Sequence, residues 1–286
     1  MMFKGFAEER IETSGATIRV RHGGTGPALL LLHGNPQTSA MWRHVAARLQ
    51  DRFTLICPDL RGYGFSSKPP AGADHINYSK RAMARDMVEV MEALGHERFY
   101  LCGHDRGGRV AHRLAYDHCE KVRKLCVLDI APTREMYAET TDAFARAYWH
   151  WFFMILPAPE PERMMQADPD AFWLARCAKN GTGMFDEALE EYLTAFRDPE
   201  TIRATCDDYR AAAGIDIAHD DAETGKLTVP IHCLWGEHGV IESCFDPLAL
   251  WRLRAETVTG RSLPTGHYMA EEAPDAVAEE LAVFFA

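Results

Sequence analysis

The chain contains no apolar run long enough to span a bilayer. Its densest apolar segment, 151–156, covers only six residues, against the roughly 20 that a spanning helix needs. The first ten residues hold no extended apolar stretch, so no secretion signal is expected there. Basic residues are in deficit: 31 Lys and Arg stand against 42 Asp and Glu, for a net charge of −11. That balance argues against non-specific binding to nucleic acid or to a membrane surface. It leaves room for a small anionic substrate, because a local arginine pair overrides a distant field screened by salt. There is no C-x-x-C, no H-E-x-x-H and no cysteine–histidine cluster with metal spacing, so no metal is expected. Gly62-Tyr63-Gly64-Phe65-Ser66-Ser67 lacks the third glycine of a dinucleotide loop, and no cofactor is expected.

What the chain does have is enough apolar material for a large core: 47% of its 286 residues are hydrophobic and 10% aromatic. Its eight cysteines are scattered, and Cys57, Cys102, Cys126 and Cys233 fall in strand-like runs. Buried, reduced thiols in a cytoplasmic protein are expected.

Short apolar runs alternate with helix-like segments. Strands are expected at 18–20, 28–32, 53–57, 99–102 and 124–130, and helices at 41–49, 80–94 and 109–116, with Gly95 as a stop. Such alternation predicts a mostly parallel sheet with helices on both faces. From Pro132 to about Leu227 no strand is evident, and the segment is aromatic and helix-forming. Strand character returns at 229–235, and an amphipathic helix over 274–285 closes the chain. We therefore expect an α/β core of residues 1–132 and 228–286, interrupted by a helical cap of residues 133–227.

The most specific local feature is Gly103-His104-Asp105-Arg106-Gly107-Gly108, directly after the apolar run Phe99-Tyr100-Leu101-Cys102. Glycines two residues to each side of Asp105 allow a sharp strand-to-helix turn. The carboxylate at its apex stands at a helix N-terminus, where free N–H groups and the helix dipole favour negative charge. A carboxylate nucleophile suits displacement at saturated carbon, whether dehalogenation or epoxide opening.

Four motifs in order then resemble the α/β-hydrolase family over nearly the whole chain. His33-Gly34-Asn35-Pro36 resembles its oxyanion-hole motif, and Asp59-Leu60-Arg61-Gly62-Tyr63-Gly64-Phe65-Ser66 its turn after the fourth strand. Gly103 to Gly107 is the nucleophile elbow, and Thr265-Gly266-His267-Tyr268 resembles the loop of the catalytic histidine. The resemblance implies Asp105 as nucleophile and His267 as the base that activates water on the aspartyl ester. In most of the family the orienting acid follows the strand placed at 229–235. Here that loop reads Gly236-Glu237-His238-Gly239-Val240-Ile241, with Gly239 at the usual position. An Asp in an apolar strand end is costly to bury unless paired, so Asp129 is expected to be the acid, with Glu237 as the alternative. His33, His104 and His112 are expected to be structural.

Arg106 and Arg109 can share one helix face beside Asp105. Two cations next to a nucleophilic carboxylate fit a substrate that is itself a carboxylate, since arginine's planar fork grips carboxylate oxygens in pairs. An opposite charge at about 4 Å is worth roughly 4 kcal/mol at intermediate dielectric. The backbone N–H groups of Arg106 and Asn35 are expected to form the oxyanion hole. Tyr148-Trp149-His150-Trp151 and Asp207-Asp208-Tyr209-Arg210 resemble the cap of haloacetate dehalogenases, particularly those acting on fluoroacetate. That resemblance implies that His150, Trp151 and Tyr209 bind the departing halide, and it also suggests a homodimer. Tyr148 and Trp149 are expected to pack, and Asp220-Asp221 to form a solvated turn. Asn35 departs from the group, which commonly has an aromatic residue there. An epoxide hydrolase with the same Asp-His-Asp machinery is the second reading, and a non-catalytic binder on the same scaffold the third.

Overall fold

The computed structural model describes residues 2–178 and 181–286. Eight strands form one sheet: β1 (Ala7–Glu12), β2 (Thr17–Gly24), β3 (Ala28–Leu32), β4 (Thr54–Pro58), β5 (Phe99–His104), β6 (Val122–Leu128), β7 (Ile231–Gly236) and β8 (Val258–Leu263). Their spatial order is β1-β2-β4-β3-β5-β6-β7-β8. β1 and β2 pair antiparallel at one edge, and β4 through β8 with β3 run parallel. The run Ala28-Leu29-Leu30-Leu31-Leu32 is buried throughout, as a parallel strand covered on both faces must be. β1 was not expected. Its sequence Ala7-Glu8-Glu9-Arg10-Ile11-Glu12 has one buried residue, so an exposed edge strand carries almost no apolar signal.

Helices α1 (Arg43–Leu49), α2 (Lys80–Ala93) and α3 (Arg106–Asp117) connect the first parallel strands. The helix expected at 41–49 is divided: a 3-10 turn over Ser39–Trp42 precedes α1. α3 begins at Arg106, three residues earlier than its apolar periodicity suggests, because its first turn is the glycine-rich elbow. Between the adjacent strands β6 and β7 the chain is helical: α4 (Thr133–Ala138), α5 (Asp142–Ala147), α6 (Trp149–Met154), α7 (Glu160–Ala167), α8 (Pro169–Cys177), α9 (Leu189–Phe196), α10 (Pro199–Ala213) and α11 (Ile215–Asp221). α12 (Val240–Cys244), α13 (Pro247–Arg254), α14 (Met269–Glu272) and α15 (Pro274–Phe284) complete the chain. No helix among the described residues is long and apolar enough to cross a membrane.

The helical insert is tied to the sheet by buried polar groups as well as apolar packing. Glu191 of α9 accepts from Arg19, Arg21 and Thr38. Arg43 of α1 and Tyr192 of α9 both donate to Glu271 at 2.5 Å. The expected solvated turn at Asp220-Asp221 is corrected here. Asp220 is buried and accepts from Arg113 of α3 at 2.9 Å, while Asp221 at the end of α11 pairs with Arg134 at the surface. A buried guanidinium on α3 needs a carboxylate, and the end of α11 supplies it. These ties fasten α9 and α11 to the core, and Trp173 of α8 donates to Pro36 O just beyond the C-terminal end of β3, the side on which ligands of open α/β sheets bind.

Candidate active site

Asp105 stands between β5 and α3 with φ 47° and ψ −117°, a backbone region costly for a side chain that has a Cβ. The flanking glycines make the turn sterically possible. A Cβ on Gly103 would lie 2.5 Å from the Gly107 carbonyl oxygen, and one on Gly107 2.4 Å from that of His33. The apex carboxylate is therefore forced up into the space under the insert, where it is buried.

Asn35 N–H donates to Asp105 Oδ1 at 2.8 Å. Asp105 makes no side-chain bond to the N-terminus of its own helix, so of the two amides expected to form the oxyanion hole, that of Asn35 is on the carboxylate and that of Arg106 is not. Burial alone would raise the Asp105 pKa. His267, His104, Arg106 and Arg109 outweigh it and hold the carboxyl well below the usual range.

His267 lies in the loop after β8. Its Nδ1 is 2.6 Å from Asp129 Oδ2, and Gly236 N–H donates to Asp129 Oδ1 at 3.0 Å. Asp129, directly after β6, also has a positive φ of 50°. Burial opposes charge on His267, but the hydrogen bond and charge of Asp129 raise its pKa above the ordinary value. Glu237 points to solvent beside His238 and does not reach this histidine. His104 Nε2 is 2.8 Å from the His267 carbonyl oxygen, so that nitrogen carries the proton. Burial pushes His104 down to about 3. His33 likewise bridges backbone, with Nδ1 on Gly34 O and Nε2 accepting from Leu60 N–H. His112 packs against Tyr116 and Trp251.

Arg106 and Arg109 are both buried. Arg106 donates from Nε to Asp208 Oδ2 at 2.6 Å and from Nη2 to the Asp208 carbonyl at 2.9 Å, leaving Nη1 buried and without a partner. Its guanidinium lies 4.2 Å from the centre of the Tyr209 ring. Arg109 donates to Ala131 O and Thr133 Oγ1, leaves Nε unpartnered, and sits 4.6 Å from the centre of the Trp151 ring. Trp151 Nε1 and Tyr209 Oη are buried donors without partners. The rings of His150 and Tyr209 are 6.1 Å apart, and those of Trp151 and Tyr209 6.4 Å. Burial, then the charge of Arg176, keeps His150 neutral. The structure thus links Asn35 to Asp105 and Asp129 to His267, and sets Arg106, Arg109, His150, Trp151 and Tyr209 against one another, with Tyr148 between His150 and His267.

Three residues at this site escaped the sequence reading. Asp208 is buried between Arg106, Lys80 and Tyr63, whose hydroxyl donates to it at 2.6 Å. An Asp one residue before an expected ligand and inside an apolar helix face was the available signal. Tyr148, expected to pack, has its hydroxyl 3.4 Å from His267 Nδ1. Trp149, also expected to pack, does so against the rings of Phe153 and Phe172, while 42% of it stays exposed. Arg176 of α8 donates to the Asn35 side chain and, at 3.3 Å, to its carbonyl. It sits in an ordinary helix pattern that carried no sequence signal.

The family description "alpha/beta hydrolase fold" matches residues 27–173, and a fluoroacetate dehalogenase from Burkholderia sp. is 46% identical over 99% of this chain and 95% of its own length. The chain belongs to the α/β-hydrolase family. Within that family it is also 33% identical to a soluble epoxide hydrolase from Corynebacterium sp. strain C12, over 92% of this chain and 91% of that protein. A solved structure of a provisionally assigned α/β-hydrolase from Nostoc sp. PCC 7120 is 49% identical, superposes with a TM-score of 0.97, and covers 100% of this chain and 99% of the other. As an α/β-hydrolase, the chain carries its elbow on β5 and α3. The loop after β7 offers no side chain at Gly239, and the carboxylate touching the histidine comes from the end of β6 instead.

Proposed function

We propose that this α/β-hydrolase is a hydrolytic dehalogenase of short 2-haloacids, converting a haloacetate such as fluoroacetate to glycolate and halide. One observation carries the reading: an ionised Asp105 shares its buried site with two arginines, each keeping one buried guanidinium nitrogen without a partner. Neutral substrates give no reason to bury such donors, whose desolvation costs about 1–3 kcal/mol each when unmet. A substrate carboxylate meets them. The dehalogenase relative at 46% identity supports the same reading.

In this reading residues 133–227 cap a core of residues 1–132 and 228–286. Arg106 and Arg109 hold the substrate carboxylate. Asp105 Oδ2, the oxygen without the Asn35 bond, attacks the halogen-bearing carbon in line. A C–O bond forms, the C–X bond breaks, and its electron pair leaves with the halide toward His150, Trp151 and Tyr209. Fluoride is small and strongly hydrated, and an imidazole N–H, an indole N–H and a phenol O–H replace its water. His267, oriented by Asp129, then takes a proton from water, which attacks Asp105 Cγ. The Asn35 amide, already on Oδ1, faces the resulting oxyanion. Collapse breaks the Cγ–Oδ2 bond, the leaving oxygen takes the proton from His267 and departs as the glycolate hydroxyl, and the new carboxyl of Asp105 loses its proton to solvent. All eight cysteines are free, which supports a reducing compartment such as the cytoplasm.

The test is covalent trapping. Asp105→Asn abolishes halide release. His267→Asn accumulates enzyme bearing one carboxymethyl group, read by intact-protein mass spectrometry. In wild type, a single turnover in ¹⁸O-water gives glycolate with unlabelled hydroxyl oxygen, because that oxygen comes from Asp105. Labelled glycolate, or turnover by either variant at the wild-type rate, refutes the reading. Diol formation from a styrene-type epoxide without halide release from any haloacetate favours the epoxide hydrolase.

A further inference from the structure

Asn35 is gripped from two sides. Its backbone N–H is on the nucleophile, Asp105 Oδ1, at 2.8 Å. Its side-chain oxygen and its carbonyl both accept from the guanidinium of Arg176, which reaches down from α8. With Oδ1 committed to Arg176, the amide of Asn35 has a fixed orientation, and its Nδ2 is a buried donor without a partner.

Arg176 also stands out in the count of charge around the nucleophile. Arg106 is matched by Asp208, and His267 by Asp129. Arg109 and Arg176 form no ion pair with a carboxylate among the described residues, and Asp105 forms none with a cation. One anion therefore faces two unmatched cations. A haloacid adds the second anion and makes the set neutral. During displacement the substrate carboxylate keeps its charge, while one unit passes from Asp105 to the halide as the C–O bond forms and the C–X bond breaks. Arg106 and Arg109 serve the charge that stays. Arg176 sits beside the charge that moves, because it grips Asn35, whose backbone N–H is on the Asp105 carboxylate and whose Nδ2 is left as a buried donor.

We propose that Arg176 is a positioning residue for carbon–halogen cleavage, which by gripping Asn35 aims the Asn35 Nδ2 amide and a positive charge at the departing halide and so biases the site toward fluoride. The inference rests on the haloacid reading above. Fluoride concentrates its charge in the smallest volume, so it gains most from a fixed donor and a nearby cation in a site from which water is excluded.

The experiment compares kcat and KM for fluoroacetate and chloroacetate in wild type, Arg176→Met, Arg176→Lys, Asn35→Ala and the Asn35→Ala/Arg176→Met double variant. For fluoroacetate, Arg176→Met lowers kcat by roughly 100-fold, the lower end of the scale for losing one preorganised donor. For chloroacetate the loss is several-fold smaller, and KM changes little for either acid. Arg176→Lys restores part of the fluoride rate, because it keeps the charge and loses the fork. The double variant is no worse than the poorer single variant, since both act through one contact. Equal losses for both halides, with Lys no better than Met, assign Arg176 a merely structural role and overturn the proposal. A change confined to KM assigns it to the substrate carboxylate and overturns it as well. If Arg176→Met does not fold, Arg176→Lys and Asn35→Ala are read by the same fluoride-to-chloride ratio. Absence of halide release by wild type refutes the haloacid reading itself, an outcome distinct from an unchanged ratio in active variants.

Discussion

The Asp129 carboxylate occupies the space that a side chain at Gly239 would enter. A Cβ on Gly239 would lie 3.3 Å from Asp129 Oδ1 and 3.6 Å from Oδ2. The end of β6 and the loop after β7 are two routes to one place beside His267. Gly239 has an extended backbone, with φ −94° and ψ 175°, open to any residue. Asp129→Asn is expected to lower kcat by roughly 10³- to 10⁴-fold, the scale seen when a histidine loses its orienting carboxylate. The double variant Asp129→Gly/Gly239→Asp is expected to recover at least about ten-fold of that loss. Halide release measures both, and a double variant no faster than Asp129→Asn shows that the two positions are not interchangeable.

Activity is expected to fall on the acid side through the titration of His267. Its pKa is raised because Asp129 outweighs burial, and a protonated imidazole cannot take a proton from water. The kcat profile therefore rises with pH through a midpoint above the ordinary histidine value of about 6.5. Asp129→Asn moves that midpoint down. Asp105, held ionised by His267 and the arginines, contributes no break in the same range. A kcat that stays flat down to pH 5 contradicts this assignment.

Asp208→Asn is expected to damage stability and substrate affinity together. The carboxylate is fully buried between Arg106 and Lys80, which hold it down at about 2 against the effect of burial. Removing its charge leaves the buried Arg106 guanidinium uncompensated, while Lys80 keeps Asp216 at 3.4 Å, at a cost of about 3–5 kcal/mol. Urea denaturation reads the first effect, and KM for a haloacid the second. Loss of stability with an unchanged KM separates the anchor of Arg106 from its binding end.

Glu271 makes a different pH prediction, for stability. Burial pushes its pKa up to about 7, although Arg43 and Tyr192 pull the other way. The folded state then binds a proton that the unfolded chain has released between pH 4.5 and 7. Its contribution is complete below the unfolded value and is lost as pH rises through the folded one. Wild type is expected to lose roughly 3 kcal/mol relative to Glu271→Gln between pH 4.5 and 8. Denaturation at both pH values gives the difference, and a gap that does not change with pH excludes it.

The parallel strands were legible because burial on both faces turns them into short continuous apolar runs, as at Leu29 to Leu32. The elbow was legible because a strained turn admits only small neighbours, and that requirement is written in Gly103 and Gly107. β1 was not legible, since an edge strand facing water needs no apolar alternation. The partners that complete the site, Asp208 and Arg176, were hidden for another reason. Each lies on a helix of the insert, far along the chain from the residue it holds, and pairing of opposite charges across such a separation leaves no local pattern.

The anchoring of Arg106 has a consequence for building chimeras. Its Nε and Nη2 are fastened to Asp208 on α10, and Nη1 is left buried without a partner. Arg106 thus belongs to the elbow by sequence and to the insert by bonding. An insert transplanted from a relative without a carboxylate at the position of Asp208 would bury a guanidinium with no counter-charge, and the hybrid would lose its fold before its selectivity could be measured. Recombination at this boundary has to carry α3 and α10 as one inherited unit.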